Sequence, residues 1–407
     1  MRAFLGMVLF CAGALAAADI ALVGGTVYPS PEAGPIADAV IVIREGRIAA
    51  VGPRASVRVA KDAQAIDCAG GFVTAGFWNS HVHIFTPGLL HAAGSGAGEL
   101  SAQLDAMLNT WGFTSVFDIG SVLENTDALR RRIEGGEVRG PRILTVGEPL
   151  WTEAPVYVRG FLEANHIEIA PVGTPDAAAA RVRAQAGRGA NGIKVFAGSM
   201  QGVGKVANMP VEMVRAAVAE AHRLHLPVFA HPQNSAGLEA AIDGGVDILA
   251  HTAPDSPPWT AEFVGRLKGA HMALIPTLTL FDFEARKGGA TDQERTQWLE
   301  KMTGELRAFA AGGGEVLFGT DVGYTDHFDT ALEFTLMAKA GMSWQQILAS
   351  LTTAPARRFG GAGRSGRIAA GQDADITVLK DDPAKDVTAL SRVRLAMRGG
   401  STIYAAK

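Results

Sequence analysis

Phe77-Trp78-Asn79-Ser80-His81-Val82-His83-Ile84 reads as a short, buried strand that carries two histidines at its end. Side chains at i and i+2 of a strand point to the same face, so both imidazoles can reach one ion. A lone His-x-His arises often by chance and means little by itself. Its weight depends on the surrounding pattern. Seven more short apolar runs follow, at residues 114–120, 142–147, 192–197, 227–231, 247–252, 273–279 and 316–321. Helical patterns lie between them at residues 100–111, 125–135, 176–187, 210–224, 237–244 and 293–311, with Pro210 suited to a first helical turn. Residues 343–360 add two further helical turns. Eight strands alternating with helices predict an α/β fold, a (β/α)8 TIM barrel. An open doubly wound sheet would also alternate, but no Gly-rich dinucleotide loop follows the first strand.

Most of these runs are apolar, yet several end in one metal-capable residue. His81 and His83 end the first, Lys194 lies inside the fourth, His231 ends the fifth, His251 the sixth and Asp321 the eighth. The ends of barrel strands converge on one mouth, where active sites form. Zinc accepts neutral imidazole and carboxylate at about 2.0–2.2 Å. Each residue also has a plainer reading. His231 and His251 fit core histidines satisfied by backbone carbonyls. Asp321 fits a helix N-cap, although Val322-Gly323-Tyr324 after it is not helical in pattern. Lys194 in an apolar strand fits a buried ion-pair partner.

The two chain ends have another texture. Residues 20–27, 39–44, 47–51 and 64–67 read as strands, with Arg44-Glu45-Gly46-Arg47 as a hairpin turn. Residues 376–379, 393–398 and 401–404 repeat it. Neither end is large enough for its own core. Residues 19–75 and 362–407 are therefore expected to join as one small β-sandwich domain, with residues 76–361 as the barrel.

Composition excludes some functions. Of 407 residues, 48% are apolar and 19% charged, which suits a large buried core and not a disordered chain. A net charge of −4, without basic runs, gives no footprint for nucleic acid. Residues 1–18 combine Arg2, an apolar run and Ala14-Leu15-Ala16-Ala17-Ala18, the pattern of a secretory signal peptide. An anchor would need about 20 apolar residues, and Asp19 comes first. No later stretch resembles a membrane span. Export, here to a bacterial periplasm, is the expectation. Loss of Cys11 with the leader would leave Cys68 alone, so no internal disulfide is expected.

The ordered set of His-x-His, Lys, His, His and Asp on barrel strands, inside a split β-domain, resembles the amidohydrolase superfamily. The nearest likeness is to the imidazolonepropionase-like group with metal-dependent Xaa-Pro dipeptidases and N-acyl-amino-acid hydrolases. Gly76-Phe77-Trp78-Asn79-Ser80-His81-Val82-His83, Phe318-Gly319-Thr320-Asp321, Leu351-Thr352-Thr353-Ala354-Pro355-Ala356 and Gly371-Gln372-Asp373-Ala374-Asp375-Ile376 carry it. The resemblance implies two divalent ions, usually Zn2+, bridged by N6-carboxylated Lys194. It implies that His81, His83 and Asp321 hold one ion and His231 with His251 the other. It also implies a shared hydroxide that attacks the scissile carbonyl, with Asp321 as general acid and base. Imidazolonepropionases lack the strand-4 lysine, so Lys194 argues against that activity. Many dipeptidases of the group carry Thr-Gly-Gly-His after strand 3, where this chain has Gly147-Glu148-Pro149-Leu150-Trp151-Thr152.

Long loops at strand ends shape pockets. Residues 148–171, read as a loop, contain Tyr157, Arg159 and His166, and Tyr324 with His327 follows Asp321. These five are expected substrate contacts, with Arg159 able to clamp a carboxylate. The favoured activity is amide hydrolysis in short peptides, Xaa-Pro dipeptides among them, or in N-acyl amino acids. Lactone, phosphoester or carbamate hydrolysis on the same metals is the first alternative. A non-catalytic periplasmic binding protein is the second. The partner is then a small-molecule or short-peptide substrate, and homo-oligomer formation is left open.

Overall fold

The structure is a computed structural model that describes residues 18–407; residues 1–17 of the expected leader lie outside the described residues. Strands β1 (Ile20–Val27), β2 (Ile36–Arg44), β3 (Arg47–Pro53) and β4 (Gln64–Asp67) follow the apolar runs, and β5 (Phe72–Ala75) adds one that the pattern did not separate. Glu45 and Gly46 both have positive φ, at 50° and 75°, as a two-residue turn between twisted strands requires.

The strand–helix alternation starts with β6 (Phe77–Val82), α1 (Ala97–Met107), β7 (Phe113–Asp118), α2 (Leu123–Glu134) and β8 (Arg142–Thr145). Next come α3 (Val156–Ala164), α4 (Pro175–Gly187) and β9 (Ile193–Phe196), then the hairpin β10 (Gly198–Gly202) and β11 (Lys205–Asn208). The chain continues through α5 (Val211–Arg223), β12 (Val228–His231), α6 (Ser235–Gly244), β13 (Ile248–Leu249), α7 (Ala261–Gly269) and β14 (Ala273–Leu274). Helices α8 (Leu278–Lys287) and α9 (Asp292–Ala311), strand β15 (Glu315–Val316), and α10 (Ala331–Lys339), α11 (Trp344–Leu351) and α12 (Thr353–Arg358) complete it.

Two parallel sheets result, β6-β7-β8 and β15-β14-β13-β12-β9. Backbone hydrogen bonds join them at both edges. Leu150 N donates to Lys194 O and Phe196 N to Leu150 O, each at 2.8 Å. On the other side Ser80 N donates to Phe318 O (2.7 Å), Asp321 N to His81 O (2.9 Å) and His83 N to Val322 O (2.8 Å). The result is a mixed α/β fold of the TIM-barrel type. Phe117, Phe229, Ile248, Ile275 and Leu317 form one apolar cluster, against which Phe359 packs. The larger core cluster includes residues of β6, β9 and β12 and of the surrounding helices.

Some expected boundaries move. The last three strands are shorter than the apolar runs that announce them. Beyond β14, Pro276 has no N–H for a ladder and Thr277 turns left-handed at φ 44°, so α8 begins where a strand was expected. Residues 148–171 contain α3 instead of being wholly loop. Pro210 sits just before α5, because its ψ of 139° is extended.

At the C-terminus, β16 (Ile376–Leu379), β17 (Val393–Arg398) and β18 (Ser401–Ala405) join the N-terminal strands. The strands of the expected small β-domain pair as one continuous hydrogen-bonded set, β18-β17-β16-β5-β1-β2-β3, with β4 also on β1. β5 is the reason: it pairs in parallel with β1 and antiparallel with β16. This sheet meets the eight-stranded part through the Thr377 hydroxyl, which donates to Gly112 O (2.9 Å), and through Arg142 donating to Asp375 (2.9 Å). Among the described residues no helix is long and apolar enough to cross a membrane.

Helix α8 is capped from a distance. Glu333 on α10, fully buried, accepts from Leu278 N (2.9 Å), Thr279 N (2.7 Å) and the Thr279 hydroxyl (3.0 Å). Burial pushes its carboxyl from 4.5 up to about 7, against the lowering effect of those donors. A carboxyl raised on folding contributes stability below its unfolded pKa, and that contribution is lost as pH rises through the folded value. Urea midpoints of the native chain and Glu333→Gln, compared across pH, should show the native chain losing ground as pH rises from 4.5 to about 7. A pH-independent difference would contradict this.

Candidate metal centre

Strand β6 is buried along its whole length, and His81 is completely enclosed. The segment bearing Asp321 lies directly against it. A Cβ at Gly319 would fall 2.7 Å from His81 Cβ and 2.3 Å from Ile275 Cγ2, so only glycine permits this approach. Asp321 itself is left-handed at φ 60°. Gly323, at φ 105°, would place a Cβ 2.0 Å from His83 O.

Asp321 Oδ1 lies 2.9 Å from His83 Nε2 and 3.3 Å from His81 Nε2, while Oδ2 lies 3.7 Å from His251 Nε2. The two Nε2 atoms of His81 and His83 are 3.3 Å apart. The rings of His81 and His251 have centroids 4.7 Å apart, and those of His231 and His251 4.8 Å. Candidate ligand atoms of His81, His251 and Asp321 all lie within 4.8 Å of one another. Lys194, only 2% exposed, lines the same cavity.

Neighbours orient the rings. His83 Nδ1 donates to Gly120 O (2.7 Å), because a carbonyl can only accept. The Thr277 hydroxyl donates to Pro276 O (2.9 Å) and so accepts from His251 Nδ1 (2.7 Å). Gln233 donates to Asp255 Oδ2 (2.8 Å), which leaves its Oε1 to accept from His231 Nε2 (3.1 Å). The free nitrogens are therefore Nε2 of His83 and His251 and Nδ1 of His231. With Nδ1 donating, His83 presents Nε2 to Asp321 Oδ1 at 2.9 Å. Without positive charge between them, a proton or a metal cation, these would be two acceptors in unfavourable contact. Asp321 Oδ1 and His81 Nδ1 are buried without hydrogen-bond partners.

Electrostatics agree with a cation site. Burial lowers His81 to about 3 and His231 to about 3, and takes His251 well below its ordinary value. Neutral imidazole is the ligand form. Burial pushes Asp321 up, while positive charge beside its carboxyl, on a protonated His81 or His83 or on a cation in that place, holds it well below the usual range. Burial also lowers Lys194 to about 7, with Asp321 opposing. Among the described residues Lys194 forms no ion pair: Asp321 faces the histidines instead.

All six candidate ligands from the sequence line one cavity, joined by Tyr157 and Tyr324, whose ring centroids are 5.4 Å apart. Arg159, His166 and His327 do not line it. Residues 156–164 are helical, so Tyr157, Val158, Phe161 and Leu162 share the cavity face. Arg159 points away, donating to Ala154 O (3.0 Å) and to Gln201. His166, at φ 53°, follows the helix end and is exposed, as is His327. Sequence reasoning missed Gln233 and Thr277, although Gln233 stands at i+2 from His231 and so invites the same-face argument. It also missed Asp118. That buried carboxylate ends β7 and accepts from Ser121 (2.6 Å), Thr145 (2.8 Å) and Thr126 (3.0 Å). Its position at a strand end was the available signal.

Gln233→Ala should weaken zinc binding about 10–100-fold, as loss of a ligand-orienting partner does. Competition with a chromophoric chelator measures this, and unchanged affinity would mean that Gln233 orients no ligand.

Ochratoxinase from Aspergillus niger is 25% identical over 394 residues, covering 87% of this chain and 79% of its own. A putative prolidase from Bifidobacterium longum has a solved structure with TM-score 0.79 and 26% identity, with 96% of both chains covered. A Xaa-Pro dipeptidase with bound methionine in its active site reaches TM-score 0.80 at 22% identity, covering 96% of this chain and all of that one. The family model described as "Amidohydrolase family" matches residues 72–403. With its metal-capable cluster inside that span, the chain belongs to the amidohydrolase family and is a hydrolase.

Proposed function

We propose that this enzyme hydrolyses amide bonds at a binuclear metal centre. One observation carries the reading: buried, neutral imidazoles and an unpartnered carboxylate oxygen meet at the foot of one cavity. His81, His83 and Asp321 would hold one ion, His231 and His251 the second, and N6-carboxylated Lys194 would serve both. The low pKa of Lys194 supports this, since only a neutral amine adds carbon dioxide. Divalent ions here, in our reading Zn2+, would make water nucleophilic at neutral pH and polarise a carbonyl.

The chain's own groups supply the rest. Asp321 would be held as a carboxylate by the positive charge gathered at the histidine cluster, so it can accept the proton of the attacking water. It returns that proton to the amide nitrogen as the C–N bond breaks, releasing an acid and an amine. The apolar clusters around the strand ring exclude water from below. In this reading residues 76–361 are the catalytic unit, residues 19–75 and 362–407 the β-rich unit, and the leader pattern of residues 1–18 supports export to the periplasm.

Elemental analysis of the purified protein should find two divalent ions per chain. Lys194→Ala should lower metal content and reduce kcat/KM by about 100-fold or more, given what ligand loss does at such sites. Fewer than one ion per chain, with Lys194→Ala changing nothing, would sink the binuclear reading. A panel of amides, lactones, carbamates and phosphotriesters tests the bond; turnover of the non-amides alone would replace amide hydrolysis.

A further inference from the structure

The walls of the cavity carry information about substrate beyond the metal site. Its volume is about 440 Å³, suited to one small molecule. Aromatic side chains extend the metal cluster outward in three directions. Phe85 lies 5.0 Å from the His83 ring and 4.9 Å from Phe161 on α3. Phe196 stacks on His231 at 4.8 Å and meets Trp151 at 5.7 Å. Phe281 on α8 lies 6.5 Å from His251 and 5.7 Å from Trp298. Groups on either side of a bond held above the histidines therefore meet aromatic faces.

Charge in the lining points the same way. Among the described residues no arginine lines the cavity, and Lys194, at the cluster itself, is its one lysine. The acidic residues beyond Asp321 are Asp255 and Glu284, which accept from Gln233 and from the Tyr324 hydroxyl (2.6 Å). Arg159, the expected carboxylate clamp, is held outside by Ala154 O and Gln201. Lys287, beside Tyr324, is half-exposed and faces Glu284 at 3.8 Å. Away from the metal cluster, which the amide carbonyl occupies, a substrate carboxylate would thus meet aromatic rings and like charges with no lysine or arginine to receive it.

Resting on the amide-hydrolase reading, we propose that the substrate is an uncharged amide with a large aromatic group, and that free dipeptides and N-acyl amino acids are poor substrates. The reaction is balanced by water alone. Its oxygen bonds to the carbonyl carbon, the C–N bond breaks, and one proton passes to the departing amine.

The test uses a matched pair on the zinc-loaded full chain: N-benzylbenzamide and N-benzoyl-phenylglycine, which differ by one carboxylate, with alanyl-proline as the dipeptide. Amine release gives kcat/KM, and quenching of the cavity tryptophans Trp151 and Trp298 gives binding independently of turnover. The neutral amide should bind and react at least about 10-fold better than either acid, and Phe161→Ala should raise its KM about 10-fold with zinc content unchanged. If an acid is the better ligand or substrate, the charge argument is overturned while amide hydrolysis stands. If the neutral amide binds best and no amide is cleaved, the bond assignment fails and the account of the cavity stands. An unaltered KM in Phe161→Ala would remove α3 from the aromatic wall that recognises substrate.

Discussion

Two seams of backbone hydrogen bonds hold the eight parallel strands together, and the candidate ligands form part of both. Lys194 O accepts from Leu150 N at one seam, and His81 O accepts from Asp321 N at the other. Side chains of those residues then face a common interior. Ring closure and assembly of the metal cluster are therefore one event, and a chain that failed to close would also scatter the ligands. That coupling explains why Gly319 must be glycine. A side chain there would push the Asp321 segment off His81 and break a strand contact together with the site.

Dehydration sets the chemistry of what is gathered. Imidazole, amine and carboxylate groups would all be largely hydrated in the unfolded chain, and burial penalises each charged form. For His81, His231 and Lys194 that penalty dominates, leaving good electron-pair donors. Asp321 goes the other way when positive charge, a proton or a cation, sits between its Oδ1 and the two histidine Nε2 atoms within 3.3 Å. Neutral donors around one persistent anion form a cation site. The second layer completes it: Gly120 O, Thr277 and Gln233 each occupy one ring nitrogen and leave the other free.

Farther out, function depends on elements that contribute no ligand. Helix α3 turns Tyr157 and Phe161 inward and Arg159 outward, so a rotation of the helix by one residue's worth of angle would exchange an aromatic wall for a charged one. Helix α8, which brings Phe281 and Glu284 to the cavity, starts on the buried Glu333 carboxylate. The small sheet takes no part in the cavity lining. It braces the strand ring through Arg142 and Asp375 and through Thr377.

The alternation of strands and helices, and the six candidate ligands, were legible because both rest on local rules. Side-chain direction repeats every two residues in a strand, and parallel strands present their ends on one side. The strand count and His81, Lys194 and His231 could thus be placed from the order of residues alone. Features that depend on distant partners were not legible. The single sheet required β5 to pair with both β1 and β16. The end of the seventh strand turned on Thr277 becoming left-handed beneath His251. Arg159 looked like a carboxylate clamp until α3 formed and turned it toward Gln201. The sequence by itself determined the family of fold and named the candidate donors, since periodicity and residue type are local. Tertiary structure alone decided which donors face one another, which rings are neutral and what the cavity wall is made of, because those depend on burial and on contacts between residues far apart in the chain.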